Sequence, residues 1–425
     1  MPHFGVLSYK GTGHLNPFIA LSRELMNRGH RVTFFQTPDL ETRVRQAGLE
    51  FVPVGTARAP QGRRTESTGG FMSDITALRY GINRIVGDIE MSLRETPGAL
   101  TQPGVDALII DEIALAGPTI AQMLNLPYFL ISTSVPHNFG WSVPSNLPRG
   151  SPSSFFSRLQ NAMLQLSVLE MRGPVRWKLD DFRRKAGLGP VRKIGKEFPE
   201  LAHIAQLPRA LDFPRSTPGN FYYAGPFVDE RARPAVDFPW NRLDGRPLIY
   251  ASLGTAKRKQ AEIFHLIADA SKDFDLQLVI SLGGRGDPEM YGDLQGSPLV
   301  VRDAPQLELL KVAEIVITHA GLNTAMEALV EGKPMIAIPI AYDQPAVAAR
   351  LEWLKVAEVL PANELSAERL RLALSRVLSN ASYRNAAKEL QASLRCARGL
   401  ERAANLIEGA LRGVSRGADT RMTVN

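Results

Sequence analysis

Short apolar runs alternate with helical stretches along the first half of the chain. Four of the runs have the length of a buried strand: residues 4–8, 32–36, 106–111 and 127–132. Between the first two, residues 17–28 place apolar side chains on one helical face, with Asn16 as the predicted N-cap and Gly29 as the stop signal. This strand–helix–strand order predicts a parallel sheet covered by helices.

The same alternation restarts in the second half. Five further apolar runs are predicted strands: residues 247–254, 276–282, 298–303, 314–320 and 334–340. Between the two halves, residues 229–246 carry prolines and little periodicity, which favours a linker. The pattern therefore predicts an α/β protein with two Rossmann-like, doubly wound domains that face each other across a cleft.

The domain boundaries follow from these patterns. We expect one domain over residues 1–228, the linker at 229–246 and a second domain over 247–395. A helix over 396–412 is expected to pack back on the first domain, and residues 413–425 are expected to form a disordered tail.

Composition agrees with two ordinary globular domains. The chain has 425 residues, of which 44% are hydrophobic and 22% charged. No apolar run is long enough to span a bilayer, and no signal peptide is recognisable at the N-terminus. Cys396 is the only cysteine, so an internal disulfide is excluded. Together these features predict a cytoplasmic protein.

The positive charge is partly local. The net charge is +7, and nine basic residues lie between Arg172 and Lys196. We interpret them as a solvated helix surface, because no nucleic-acid motif accompanies them. Nucleic acid is therefore not expected as a partner. A weak peripheral association with the inner face of a membrane stays open, since apolar residues recur at helical spacing over 155–169.

Polar residues follow the predicted strands at two places in the first half. His14 follows the glycine loop after the first strand, and Asp111 ends the run 106–111. If those strands are neighbours, a carboxylate bonded to one imidazole nitrogen would orient the ring and make it a general base for a hydroxyl. Each residue alone has an ordinary alternative: a helix-capping or exposed histidine, and a turn aspartate at a strand end.

The glycines of "GTGHLNP" do not form a phosphate loop of a known kind. No Lys-Ser or Lys-Thr follows them, and Asn16 stands where the third glycine of a dinucleotide fingerprint would be. A dinucleotide site at this position is therefore not expected.

The segment 318–345, "THAGLNTAMEALVEGKPMIAIPIAYDQP", contains more candidate ligand residues than the loop "GTGHLNP" does. A helix that begins near its Leu322 would offer free N–H groups to a phosphate, and a carboxylate one turn later could accept from ribose hydroxyls. Small hydroxyl side chains in the loop "ASLGT" add donors. This set fits a sugar nucleotide, and the alternative is a capped βα turn. Its members are His319, Gly321, Asn323, Thr324, Glu327, Asp343, Gln344, Ser252 and Thr255.

These residues resemble a known family. The stretch 301–345 is similar to the donor-binding signature of UDP-dependent family 1 glycosyltransferases, which have the GT-B fold, and "GTGHLNP" resembles their N-terminal histidine motif. The resemblance covers nearly the whole chain. Within the family, "HIAQLPRALDFPR", "YASLGT" and "AYDQPAVAARL" look most similar to bacterial zeaxanthin (carotenoid) glucosyltransferases.

The resemblance implies a role for each matching residue. His14 would be the general base and Asp111 its partner, with the acceptor in the N-terminal domain. In the C-terminal domain, five residues would bind the diphosphate, Glu327 the ribose, and Asp343 and Gln344 the sugar hydroxyls, while Gln306 would lie near the nucleoside. The diphosphate ligands implied are Ser252, Thr255, His319, Asn323 and Thr324. The family is metal-independent, so no metal site and no cofactor besides the UDP-sugar co-substrate is expected.

One position departs from the plant members of the family. Where they have a tryptophan that stacks on uracil, this chain has Asp303, and the guanidinium plane of neighbouring Arg302 could take that part. The resemblance therefore leaves the choice between UDP and dTDP open.

The expected function is inverting transfer of a sugar, with glucose favoured, from a UDP-sugar to a hydroxyl of an apolar small molecule. Carotenoids, flavonoids or other phenols, and macrolides are the acceptor classes considered. Five residues are hypothetical acceptor contacts: Gly13, Phe71, Met72, Phe139 and Trp141. The alternatives are a UDP-sugar 2-epimerase and a non-catalytic nucleotide-sugar-binding protein.

Overall fold

The structure, a computed structural model, confirms the α/β class and the two-sheet architecture. It describes residues 1–56, 71–101, 104–136, 173–191, 200–212, 217–254, 260–341 and 343–422.

The first sheet has seven parallel strands in the order β3-β2-β1-β4-β5-β6-β7. They are β1 (His3–Leu7), β2 (Arg31–Gln36), β3 (Glu50–Pro53), β4 (Ala107–Asp111), β5 (Tyr128–Ser132), β6 (Ala202–Ala205) and β7 (Phe221–Tyr223). The helices of this half are α1 (Thr12–Asn27), α2 (Glu41–Gln46), α3 (Phe71–Thr101), α4 (Gly117–Met123) and α5 (173–185). The order reverses beside β1 and β4, which is where α/β sheets bind ligands.

The second sheet has six parallel strands in the order β10-β9-β8-β11-β12-β13. They are β8 (Leu248–Ser252), β9 (Gln277–Ser281), β10 (Leu299–Val301), β11 (Ala313–Thr318), β12 (Met335–Ala337) and β13 (Ala357–Val359). Seven helices belong to this half and the C-terminus: α6 (Gln260–Ser271), α7 (Gln306–Val312), α8 (Leu322–Val330), α9 (Gln344–Trp353), α10 (Ala367–Ser379), α11 (Ala381–Ala397) and α12 (Gly399–Met422).

All nine predicted strands are present, and four strands were missed. The missed strands, β3, β6, β7 and β13, have only three or four residues each. β10 and β12 are equally short but lie within longer apolar runs, whereas the four missed strands were identified only by their pairing with a neighbour.

The predicted start of α1 is wrong. The helix begins at Thr12 rather than Pro17, and its N-cap is Gly11 rather than Asn16. The side chain of Asn16 instead accepts a hydrogen bond from Arg43. Consequently His14 belongs to the first helical turn and is held by a regular element.

The C-terminal helix packs on the first half of the molecule. Ala403, Ala404 and Ile407 of α12 are fully buried in one core cluster with Phe18 and Leu21 of α1. The helix continues to Met422, beyond the boundary at 412 that the sequence suggested.

The two halves share a buried ion pair. Arg350 of α9 donates from Nη2 to Oδ1 of Asp212 at 2.9 Å, and both side chains are at most 1% exposed. Tyr223 of β7 donates to the other oxygen of Asp212 at 2.8 Å. The pair therefore fixes the helix that begins at Gln344 against the first sheet.

The basic segment is partly neutralised within the described residues. Lys178 pairs with Glu90 at 3.0 Å, and Arg183 is buried and donates to Thr119 and Gln122. The apolar stretch 155–169 lies outside the described residues. Among the helices that the structure describes, none combines the length and the hydropathy needed to cross a bilayer.

Candidate active site

The predicted histidine–aspartate pair is formed. Strands β1 and β4 are neighbours, so the residues that follow β1 and the last residue of β4 meet at one sheet edge. His14 Nδ1 lies 2.9 Å from Oδ2 of Asp111. Asp111 is 1% exposed, whereas 20% of the His14 side chain is exposed. The arrangement places a partly accessible imidazole against a buried carboxylate.

Backbone groups hold the carboxylate of Asp111 in place. The N–H of Tyr9 donates to Oδ2 and the N–H of Ile113 to Oδ1, both at 3.2 Å. The Thr133 hydroxyl lies 2.7 Å from Nδ1 of His14, the same nitrogen that faces Asp111. Because Nδ1 is the nitrogen these groups engage, Nε2 is the one that a substrate proton would reach.

Asn323 joins the second half of the molecule to this pair. Pro17 has no N–H, so it cannot bond the carbonyl of Gly13 four residues earlier in α1. That carbonyl accepts instead from Nδ2 of Asn323, at the start of α8. Gln206 then donates to Oδ1 of Asn323 at 2.6 Å and to the carbonyl of Thr133 at 2.8 Å. The His14–Asp111 pair therefore lies beside the N-terminus of α8.

His319 lies in a narrow space between two glycines. A Cβ at Gly254, where φ is +64°, would lie 2.6 Å from the ring, and one at Gly321 would lie 2.5 Å from Nε2. Burial lowers the pKa of His319, while the backbone of Ser252 and the charge of Asp343 oppose that shift. Its Nδ1 is buried and has no hydrogen-bond partner among the described residues. This ring is therefore a neutral polar group next to the start of α8.

Glu327 is buried and paired. Its carboxylate is 2% exposed and accepts from Arg233 of the linker segment and from Nε2 of Gln306. The hydroxyl of Tyr250 donates to Oε1 of Gln306 at 3.1 Å, and burial raises the pKa of that hydroxyl. The predicted ribose ligand and the predicted nucleoside contact thus form one connected group.

The remaining donor-site candidates lie at the carboxyl ends of strands in the second sheet, or in the helices that follow those strands. Ser252 ends β8, and Thr324 lies in the first turn of α8. Gln344 begins α9, and its side-chain oxygen accepts from the backbone of Ile340 and Ala341 at 2.8 Å. Gln344 therefore holds the loop that leads to α9.

Some predicted site residues can be placed only in part. Arg302 is exposed, and its Nε lies 3.4 Å from the carbonyl of Gly284. Phe71 and Met72 are the first two residues of helix α3, but the structure does not describe their side chains. Three predicted residues lie outside the described residues altogether: Thr255, Phe139 and Trp141.

Sequence reasoning missed three residues that complete the site. Thr133 follows β5 as Asp111 ends β4, so its place after a strand is a signal that could have identified it. Gln206 follows β6, a strand too short to recognise. Arg233 lies in the predicted linker, where no local pattern marks it. Within the described residues, no group of three or more His, Cys, Asp or Glu side chains could hold a metal ion.

Family models match most of the chain. The model described as "UDP-glucoronosyl and UDP-glucosyl transferase" matches residues 94–418, and that of the "Glycosyltransferase family 28 N-terminal domain" matches residues 6–135.

Individual proteins match over nearly their whole length. A zeaxanthin glucosyltransferase from Pantoea ananas is 29% identical over 418 residues, covering 96% of both chains. A demethyllactenocin mycarosyltransferase from Streptomyces fradiae is 25% identical over 429 residues, covering 97% of this chain and 87% of that one. Among solved structures, the glycotransferase of kitacinnamycin superimposes with a TM-score of 0.74 at 24% identity, covering 96% of this chain and 100% of that one. The match to this solved structure shows only that the two chains share a fold.

Proposed function

The chain belongs to the UDP-glucoronosyl and UDP-glucosyl transferase family, and on that premise we propose that it transfers glucose from UDP-glucose to a hydroxyl of an apolar small molecule with inversion. The observation that carries this proposal is the contact between Asn323 and Gly13. It sets the His14–Asp111 pair, a base, beside the helix end that suits a diphosphate.

In the proposed mechanism, His14 acts at the acceptor. Nε2 takes the proton of the acceptor hydroxyl while its oxygen attacks the anomeric carbon of the donor. The bond from that carbon to the diphosphate oxygen breaks, and UDP leaves with the electron pair. A single displacement inverts the configuration, so an α-linked donor gives a β-glycoside. The carboxylate of Asp111 stabilises the imidazolium that forms.

On the donor side, the leaving diphosphate would meet groups already in place. The N-terminus of α8, the His319 ring and the Ser252 hydroxyl are preorganised donors for its developing charge. Glu327 would accept from the ribose hydroxyls, beside Gln306. Asp343 is the proposed ligand of the sugar hydroxyls, together with the amide of Gln344.

The acceptor class is the less defined half of the proposal. Two relatives are named as a zeaxanthin glucosyltransferase and a demethyllactenocin mycarosyltransferase. We propose an apolar, hydroxylated small-molecule acceptor that binds in the N-terminal half. We propose that the reaction takes place in the cytoplasm. Its co-substrate would be a UDP-sugar, as in the rest of the family.

The experiment compares His14→Ala with the wild type and with His265→Ala, which removes an exposed histidine of α6. Transfer from UDP-glucose to a panel of phenols, macrolides and carotenoid diols is followed by mass spectrometry. Losing a general base costs roughly 10²–10⁴-fold in rate. We expect His14→Ala to lose that much while binding UDP normally in calorimetry, and His265→Ala to behave as the wild type.

Three outcomes would contradict the proposal. Wild-type turnover in His14→Ala would remove His14 as the base. Conversion of UDP-glucose into an epimeric UDP-sugar without any acceptor would instead identify a 2-epimerase. Binding of UDP-glucose with neither transfer nor epimerisation would favour a non-catalytic binding protein.

A further inference from the structure

A cycle of hydrogen bonds links His14 to helix α8 in the second half of the molecule. The hydroxyl of Thr133 lies 2.7 Å from Nδ1 of His14, and the carbonyl of Thr133 accepts from Nε2 of Gln206 at 2.8 Å. The same nitrogen of Gln206 donates to Oδ1 of Asn323 at 2.6 Å. Asn323 then donates from Nδ2 to the carbonyl of Gly13. The cycle therefore begins and ends at neighbouring residues of α1, and it passes through both halves.

Gln206 lies at the centre of this cycle and is buried. It is 2% exposed, so neither substrate reaches it. It directly follows β6, and its N–H donates to the carbonyl of Ser132, the last residue of β5, at 3.1 Å. A main-chain bond and a side-chain bond thus hold Gln206 against the end of β5.

The cycle fixes which way the amide of Asn323 faces. Nε2 of Gln206 has two hydrogens, and both groups that it meets, the Thr133 carbonyl and Oδ1 of Asn323, are acceptors. Because Oδ1 of Asn323 meets Gln206, Nδ2 is the atom that meets the Gly13 carbonyl. A reversed amide would put oxygen against oxygen at Gly13 and nitrogen against nitrogen at Gln206. Only one orientation therefore satisfies both contacts.

The proposed donor site and the proposed base share this amide. Asn323 lies in the first turn of α8, whose N–H groups are the proposed diphosphate ligands. Gly13 precedes His14 in α1, and a Cβ at Gly13 would lie only 3.3 Å from Nδ2 of Asn323. A displacement of Asn323 is therefore transmitted to His14 by two routes, through Gly13 and through Gln206 and Thr133.

We propose that Gln206 is a positioning residue that couples the donor site to His14. The proposal rests on the transferase function proposed above and adds one residue to its machinery. Gln206 holds Asn323 at the diphosphate and Thr133 at the imidazole, so the base and the donor keep one relative position. Such geometry is critical, because a misplacement of about 1 Å can cost about 10²-fold in rate.

The test replaces Gln206 by methionine, which nearly keeps the length of the side chain and removes both N–H donors. We expect kcat for transfer from UDP-glucose to the best acceptor of the panel to fall about 10–10²-fold. The Kd for UDP in calorimetry and the KM for UDP-glucose should stay within about threefold of the wild-type values, because a residue that touches neither substrate acts on the reaction step rather than on binding.

Gln391→Met is the matched control. Nε2 of Gln391 in α11 also donates to a backbone carbonyl, that of Val330, at 3.0 Å. Val330 is the last residue of α8, at the opposite end from Asn323. Loss of this bond should lower the melting temperature and leave kcat at the wild-type value. The same result in Gln206→Met would mean that Gln206 has a structural role only.

A second variant covers the case in which methionine at this position prevents folding. Gln206→Asn keeps a buried amide but is one carbon shorter, so it cannot reach both Thr133 and Asn323. It should show the same loss of kcat with nearly unchanged UDP affinity.

A double-mutant cycle tests the coupling itself. Asn323→Ala breaks the link to α8 and should lower both kcat and UDP affinity. In that background the link is already lost, so Gln206→Met should lower kcat by about threefold or less. A purely local effect of Gln206 would instead lower kcat by the same factor with and without Asn323.

The outcomes separate this proposal from the proposed function. Four results would overturn the positioning role alone: wild-type kcat in both Gln206 variants, loss of the fold in both, a loss confined to KM and to UDP affinity, or equal losses from Gln206→Met with and without Asn323. Failure of the wild type to glycosylate any acceptor of the panel would overturn the transferase function and, with it, the role of Gln206.

Discussion

Replacing Asp111 by asparagine tests the carboxylate that we propose orients His14 as the base. The substitution keeps the shape of the side chain but removes its charge and turns one acceptor atom into a donor. In the structure both oxygens of Asp111 accept: Oδ2 from Tyr9 and towards His14, and Oδ1 from Ile113. An amide cannot satisfy all three groups.

The expected losses of stability and of rate follow from that conflict. One buried donor is left without an acceptor, which costs about 1–3 kcal/mol of folding stability. The imidazolium formed during the reaction also loses its counter-charge. The ring of His14 can nevertheless still accept a proton, so we expect a rate loss of about 10–10²-fold, smaller than that of His14→Ala.

Three assays check this expectation. Initial rates of glucoside formation give the loss of turnover, urea unfolding gives the stability cost, and calorimetry with UDP tests whether the donor site is intact. Wild-type turnover in Asp111→Asn would refute the role of the carboxylate. A loss as large as that of His14→Ala, with unchanged UDP affinity, would refute the view that the imidazole alone retains base function.

Three further predictions concern the donor side and the interface. Gly254→Ala should weaken UDP binding, measured by calorimetry, because its Cβ would lie 2.6 Å from the His319 ring; Gly245→Ala, at a similar positive φ but in open space, should not. Burial lowers the pKa of His319, so below about pH 6.5 the unfolded chain binds more protons at this residue than the folded chain does. The free energy of unfolding should therefore fall as the pH falls through this range. His319→Gln should reduce this pH dependence, measured by urea unfolding at several pH values. Asp212→Leu should destabilise the chain by about 3–5 kcal/mol in the same titrations by leaving Arg350 buried without its partner carboxylate, whereas the double variant Asp212→Leu/Arg350→Met should recover most of the loss.

Much of the site was predictable because functional side chains follow strands. His14 lies just beyond β1 and Asp111 ends β4, so a parallel sheet brings them together once these strands are neighbours. The apolar runs that predict strands also predict, at their ends, which polar residues share an edge. Gln206 follows β6, a strand that the sequence did not predict, so it gave no such signal.

The starting point of α1 shows where local rules fail. Asn16 and Pro17 form a typical helix start, yet α1 begins at Thr12. The carbonyl that Pro17 leaves without a helical bond is satisfied by Asn323, which is distant in sequence. Local helix propensity could not indicate this contact, because Asn323 belongs to helix α8 in the other half of the molecule.

The sequence by itself determined the alternation of strands and helices, the two-sheet architecture and the family, since periodicity and motifs are local properties. Only the tertiary structure decided how the halves meet: Asn323 on Gly13, Arg233 on Glu327 and Arg350 on Asp212. Each of these contacts joins elements far apart in the chain, so the packing of the sheets and helices, and no local pattern, determines them.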